Sequence, residues 1–369
     1  ALTGEAVLFD DLGHNLCWER PAKETIDFSE CEVVVEEELI NSRVAAVSIE
    51  GRVATATWEN DRLTCWASCQ GAHSHRADVA KALGVEPHDV RVVVTDVGGG
   101  FGAKGMASEE EIVVAKLARL HGRPVRWAET RTENLTGYVH GRAQNQTVTM
   151  GGTRDGRITH YRLRVVQDSG AYPKWGAYLP EFTRWMASGV YDIPNVEFSS
   201  TSVVTNTAPT CAYRGAGRPE ATAAIERAVD LFALEIGMDP AEVRRSNLPG
   251  PEAFPFTNGT GTVYDSGDYE TALDLALEAA GYTDLRAEQL RRREAADRHQ
   301  LGVGLATYVE ITGFGGSEYG KVDLNSDGTV RAITGSTPIG TGHVTTWAML
   351  VADRLGISLG DVEIVYGDT

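Results

Sequence analysis

The alternation of apolar and polar positions divides the chain into short strands and longer amphipathic helices. EVVVEE, RVATATW and RLTCWAS alternate with the two-residue period of a strand. Residues 72–83 repeat at helical spacing, and the β-branched run 90–95 predicts a strand. A second helix is expected over 106–121, with Ile112, Val113, Leu117 and Leu120 on one face. PVRWAE reads as the next strand, and QNQTVTMGGTRDGRITHYRLRVVQ as a long hairpin turning at Asp155-Gly156. Further helices are expected over 219–236, 269–280 and 285–298. Pro219 falls near the start of the first, where its missing N–H costs least.

The pattern also repeats. QGAHSHRADVAKALGVEPHDVRVVVTD is echoed by TGHVTTWAMLVADRLGISLGDVEIVYGD, with Leu83 and Leu355, Asp89 and Asp361, and Asp96 and Asp368 each 272 positions apart. Each copy reads as a polar turn, a helix and a strand. βαβ-like units often look alike, yet the shared spacing favours two related domains. The first copy runs on into a glycine loop, GGGFGAK, whereas the second copy is expected to be cut where such a loop would begin. The Pro/Gly-dense NLPGPEAFPFTNGTG places the domain boundary near 250, giving domains 1–250 and 251–369. The class is α+β with mixed sheets, the second domain incomplete.

Charge narrows the range of partners. With 34 basic and 52 acidic residues the net charge is −18, which excludes nucleic acid or an anionic membrane as the main partner. No run of 18 apolar residues and no signal peptide is present, so a soluble, cytoplasmic protein without membrane insertion is expected. Five scattered cysteines imply no disulfide framework. Cys65 and Cys69 form a C-x3-C pair without the further ligands of a zinc site, and read as buried structural thiols.

Gly100-Phe101-Gly102-Ala103-Lys104-Gly105 matches G-x-G-x-x-G between a strand and a helix, and Glu129 ends the following strand. That is the pattern of a dinucleotide-dependent dehydrogenase, with Glu129 placed for a ribose. Glu109, Glu110 and Glu111 oppose it, because carboxylates already complement the helix dipole there and would repel a pyrophosphate.

GGGFGAK (98–104), AYRGAGRPEA (212–221), YVEITGFG (308–315) and GSTPIGTGHVTTWA (335–348), in this order and separation, resemble the molybdopterin-binding large subunit of the xanthine dehydrogenase, aldehyde oxidase and carbon monoxide dehydrogenase family. The AYRGAGR form is most similar to the branch called form II carbon monoxide dehydrogenase-like. The resemblance implies a molybdenum hydroxylase that oxidises a carbon centre of an aldehyde or N-heterocycle with water as oxygen donor. It implies a molybdopterin cofactor, in its cytosine dinucleotide form, held by Gln70, Gly99, Gly100, Phe101, Gly102, Arg214, Gly340, Thr341 and Gly342. Phe101, Arg214 and Gly215 would face the substrate. It further implies iron–sulfur and FAD partner subunits in a dimer of heterotrimers.

The departures carry information too. The copper-holding cysteine of the carbon monoxide branch corresponds to Gly215, so no copper is expected. Gly105 replaces an acid found in purine-oxidising members, and Thr341 replaces the glutamine of a usual G-Q-G turn. The family's catalytic glutamate would lie beyond Thr369, so no catalytic residue is assigned here and the isolated chain is expected to be inactive. Asp96 and Glu310 are weak local candidates for a base. A non-catalytic truncated product is the other alternative.

Overall fold

The computed structural model describes residues 2, 6–311, 313 and 316–369. Thr312, Phe314 and Gly315 of the YVEITGFG motif lie outside the described residues. The chain is α+β with mixed sheets and condenses into two units, each built from two separated segments: 1–44 with 141–311, and 45–140 with 312–369.

The first unit is a five-stranded sheet in the order Leu16–Arg20, Asn195–Val203, Ile158–Asp168, Gln144–Gly152, Val33–Asn41. Only the Ile158 and Asn195 strands run parallel, and the predicted hairpin turns through Gly156 at φ 96°. The helix Arg218–Ile236 lays Ala224, Ile225, Ala228, Val229 and Phe232 onto Val148, Met150, Tyr161 and Leu163. All nine are essentially solvent-free, so at ~25 cal/mol per Å2 each large one contributes about 1.5–3 kcal/mol. A fully buried arginine ties the next helix, Pro240–Ser246, to this one. Arg244 donates to Glu226 at 2.9 Å and to Asp230 at 2.9 Å.

The second unit realises the sequence echo in three dimensions. A hairpin of Val53–Glu59 and Arg62–Ala67 leads into the helix Ala72–Leu83, which ends at Gly84 with φ 66°. A single 3-10 turn (Pro87–Asp89) then starts the strand Val90–Val93, parallel to the Arg62 strand. The second copy repeats each step: hairpin Gly320–Leu324 and Val330–Thr334, helix His343–Leu355, Gly356 at φ 67°, turn Leu359–Asp361 and parallel strand Val362–Val365. The copies are stitched together by Val94 N–H donating to Gly367 O at 2.6 Å and by the Arg91–Asp368 ion pair.

Two expectations need correction. The helix forecast over 106–121 starts at Glu109, because Met106 is extended (φ −126°, ψ 153°) and Glu111 accepts the Ser108 N–H at 2.7 Å as an N-terminal cap. The apolar face of the sequence pattern is not the buried one: Glu111, Val114, Ala115 and Ala118 point inward, while Val113, Leu117 and Leu120 are exposed. Trp58 explains the preference. Its indole N–H donates to Ala115 O at 2.9 Å, and only small side chains allow the helix that close to the sheet. The helix expected over 285–298 is Tyr282–Glu294, because Gly281 (φ 62°) ends the helix Tyr269–Ala280 and the chain turns at once into the next.

Candidate cofactor site

In the second unit the strand Val90–Val93 empties into GGGFGAK, where Gly99, Phe101 and Gly102 all have positive φ (95°, 54°, 96°). Only glycine takes such angles without strain, so Phe101 is a costly exception, and its ring stays 40% exposed. A β-carbon on Gly99 would sit 2.8 Å from the Phe101 ring, and one on Gly100 would sit 2.6 Å from the Gln70 amide.

Gln70 is the hinge of the arrangement. Its N–H donates to Lys104 O at 3.0 Å, and its Oε1 accepts the Gly102 N–H at 2.8 Å. With Oε1 accepting from Gly102, Nε2, a donor only, bonds to no described residue. Next to it the N–H groups of Gly99, Gly100 and Phe101 donate to no described residue. The Gly102 N–H, in contrast, is taken by Gln70.

Beneath the loop lies machinery without a spacing signature in the sequence. Lys104 is buried, and its ammonium donates to Glu50 Oε2 (2.8 Å), Glu50 O (3.0 Å) and Ser68 Oγ (2.7 Å). Glu50 Oε2 also accepts the Gly98 N–H at 2.8 Å. Burial opposes the charge on Glu50, yet Lys104, Ser68 and Gly98 together hold its carboxyl below the usual carboxylate range. From the other side Tyr138 donates its hydroxyl to Ala103 O, with Arg52 stacked 3.7 Å over its ring. Glu50 and Tyr138 stand 48 or more residues before and 34 or more residues after the loop, too far for any local pattern to reveal.

This geometry removes the dinucleotide reading. Glu129 has no exposed side-chain surface and accepts from Arg52 N–H, Arg52 Nε, Arg52 Nη2 and Asn134 Nδ2, so it cannot meet a ribose. The loop also opens into a 3-10 turn (Ala103–Gly105) and an extended Met106, rather than into a helix. A pyrophosphate would find no N-terminus there. The zinc alternative fails as well. Cys65 and Cys69 are core residues, burial pushes the Cys65 thiol up to about 12, and no metal-holding cluster occurs among the described residues.

The second predicted cofactor turn, Gly340-Thr341-Gly342, has positive φ at both glycines (92° and 76°) and precedes the helix His343–Leu355. Ile339 packs on the apolar core that also holds Cys69 and Ala72. In the duplicated architecture Thr341-Gly342 occupies the place of Gln70-Gly71, each pair leading into its helix. Neither helix has a side-chain cap or an acid in its first turn, so the N-terminal amides of both are left for an anion. Thr337 Oγ, 6% exposed, has no hydrogen-bond partner among the described residues. The donors, uncapped termini and strained glycines fit an oxygen- and phosphate-rich cofactor.

Arg214 and Gly215 lie in the first unit, in the loop before the helix Arg218–Ile236. Gly215, Ala216 and Gly217 have consecutive positive φ (97°, 38°, 89°). A β-carbon on Gly215 would lie 2.4 Å from the Pro219 ring. The Arg214 side chain is exposed and bonds to no described residue. Of the weak base candidates, Glu310 is taken by Arg218 at 2.8 Å, and Asp96 faces the Tyr366 hydroxyl at 3.5 Å.

The chain belongs to the molybdopterin cofactor-binding domain family, whose two domain models match residues 9–248 and 275–369. It is 34% identical, over 100% of its own length and 47% of the relative's, to the 6-hydroxypseudooxynicotine dehydrogenase complex subunit gamma of Paenarthrobacter nicotinovorans. It is 35% identical to the carbon monoxide dehydrogenase large chain of Hydrogenophaga pseudoflava, covering 96% of this chain and 47% of that one. Among solved structures, quinoline 2-oxidoreductase from Pseudomonas putida 86 superposes with a TM-score of 0.94 at 33% identity, covering 100% of this chain and 49% of that one. The chain thus spans about half the length of the relatives it matches.

Proposed function

We propose that this chain is part of the large subunit of a molybdenum hydroxylase, an oxidoreductase that oxidises an aldehyde or N-heterocycle carbon with water as oxygen donor. The observation that carries the reading is the Gly102–Gln70 hydrogen bond, which fixes the Gln70 amide and leaves Nε2, like the N–H groups of Gly99, Gly100 and Phe101, without a partner among the described residues. Fixed donors of this kind stabilise oxygen atoms that carry negative charge, without reorganising when the charge develops. A bound molybdopterin, in the cytosine dinucleotide form, supplies the redox chemistry. Gln70 Nε2 and the 99–101 amides would hold its oxygens, and the Gly340–Gly342 turn its anionic arm. Phe101 walls the substrate, and the Arg214 fork holds a carbonyl or carboxylate.

Gly215 offers no thiolate, and its backbone accepts no β-carbon, so a copper-free site is proposed. Residues 1–250 form the first cofactor domain and 251–369 the opening of the second. No catalytic base is proposed within this chain, and the chain alone should not turn over. Electrons leave through iron–sulfur and FAD subunits, in a dimer of heterotrimers in the cytoplasm.

Elemental mass spectrometry on the protein from its native host, with its partners, tests the proposal. Molybdenum near one per chain without copper is expected. An absence of molybdenum in a host that makes the cofactor overturns the reading, and stoichiometric copper overturns the copper-free site.

A further inference from the structure

We infer that Arg142 and Arg218 are positioning residues which clamp the backbone of the 213–217 loop and thereby aim Arg214. The inference rests on the proposed substrate role of Arg214 and adds Arg142, which no sequence pattern pointed to, and a role for Arg218.

The loop cannot hold its own shape cheaply. Three successive residues are left-handed, and Ala216 carries a β-carbon there. Its internal bonds are few: Ala216 N–H to Tyr213 O at 2.7 Å and Arg218 N–H to Gly215 O at 3.3 Å. The remaining constraint comes from two guanidinium groups. Arg142 Nη1 donates to Tyr213 O at 2.9 Å and Nη2 to Arg214 O at 2.7 Å. Arg218 Nη1 donates to Ala216 O at 3.0 Å. The peptide planes on both sides of Arg214 are therefore fixed by one rigid fork, a geometry that lysine cannot reproduce.

Both clamps are themselves held. Arg142 stacks 4.9 Å from the Tyr213 ring and lies 3.4 Å from Glu220, a fully buried carboxylate that also accepts the Gly217 N–H at 2.9 Å. Arg218 donates Nε to Glu310 at 2.8 Å. This gives Glu310 a role as counter-ion. Arg142 and Ala143 adopt positive φ (63° and 68°), an unusual backbone for residues with β-carbons, and Arg142 is 9% exposed. Gly141 permits the approach, since a β-carbon there would lie 2.3 Å from Tyr213 Cβ. Every carbonyl from 213 to 216 is thus bonded inward, and the Arg214 side chain is left facing solvent.

The test is amide hydrogen exchange on the 369-residue chain and on R142Q, R142K and R218Q. R142Q should speed exchange at Ala216 and Gly217 by about tenfold or more, with the Leu163 and Val165 core amides unchanged and R142K restoring only part. Unchanged loop exchange overturns the inference, and so does equal acceleration of loop and core, which marks a merely structural arginine. In the assembled enzyme, R142Q should raise KM in the same direction as R214Q while molybdenum content stays constant. If R214Q raises KM and R142Q does not, the positioning role falls. If neither moves KM, the substrate role of Arg214 falls, while the exchange result still decides the clamp.

Discussion

Replacing Glu50 by alanine should uncouple the glycine loop from its foundation. The Lys104 side chain is 3% exposed and Glu50 is its only charged partner among the described residues, so the variant strands a buried ammonium on Ser68 Oγ and a carbonyl. Removing one partner of a buried pair costs about 3–5 kcal/mol. The Glu50 side chain keeps 31% of its surface, and solvent screening lowers the expectation to about 2–4 kcal/mol. Losing the acceptor for Gly98 N–H adds little, because that residue is exposed to water. The assay is urea denaturation followed by amide exchange in the Val53–Glu59 strand, which reports the unit that holds the pair. The double variant E50A/K104M should recover most of the loss, since no charge is then buried alone. A single-variant cost below about 1 kcal/mol, or a double-variant cost equal to the sum, would refute the reasoning. The pH dependence has a definite sign. Glu50 is depressed in the folded state, so its contribution is present above the ordinary carboxylate pKa and disappears as pH falls through the folded value. Wild-type and E50A stabilities should converge in acid.

Three further outcomes are expected. G215C, which restores the residue of a copper site, should lower the urea midpoint of the first unit by about 1–3 kcal/mol equivalent, because of the left-handed backbone and the Pro219 contact; an unchanged midpoint refutes the steric argument. His75 is buried, which by itself lowers its pKa, but Cys69 and Glu111, the latter 3.3 Å away, outweigh burial and raise it to about 10. Its contribution is therefore complete below about 6.5 and lost as pH rises towards 10, a slope that H75Q should abolish in pH-dependent unfolding. R244M leaves Glu226 buried and unpaired, and should cost the first unit about 3–5 kcal/mol in the same denaturation assay.

The recurrence of L-G-[VI] and D-V at a fixed spacing was enough to foresee two equivalent helix–turn–strand units, because the capping glycine and the strand start are dictated locally. The turn at GGGFGAK was legible for a local reason too, since positive φ favours glycine, whereas Gln70 stood out only through the family resemblance. The inward face of the helix Glu109–His121 was not. Hydrophobicity favoured Leu117 and Leu120, whereas close packing around Trp58 favoured the alanines. Nor could the sequence reveal Glu50 under Lys104, or Arg142 beneath Tyr213, since both pairs join residues brought together only by the fold. Glu129 shows the converse, a residue whose spacing suggested a ribose contact but whose charge neutralises Arg52.

The stitch between the two copies in the second unit also constrains how the protein is made. Val94 waits for Gly367, and Arg91 for Asp368, so the edge of the Val90 strand remains unpaired until residues 367 and 368 are synthesised. The 273 residues from Val94 to Gly367, about 170 of them in the other unit, take about 14–55 seconds at ~5–20 residues per second, and that edge is open throughout. An open strand edge is a template for pairing with other chains. Slow translation or an overloaded chaperone supply should therefore lower the yield of soluble protein, whether or not cofactor is abundant.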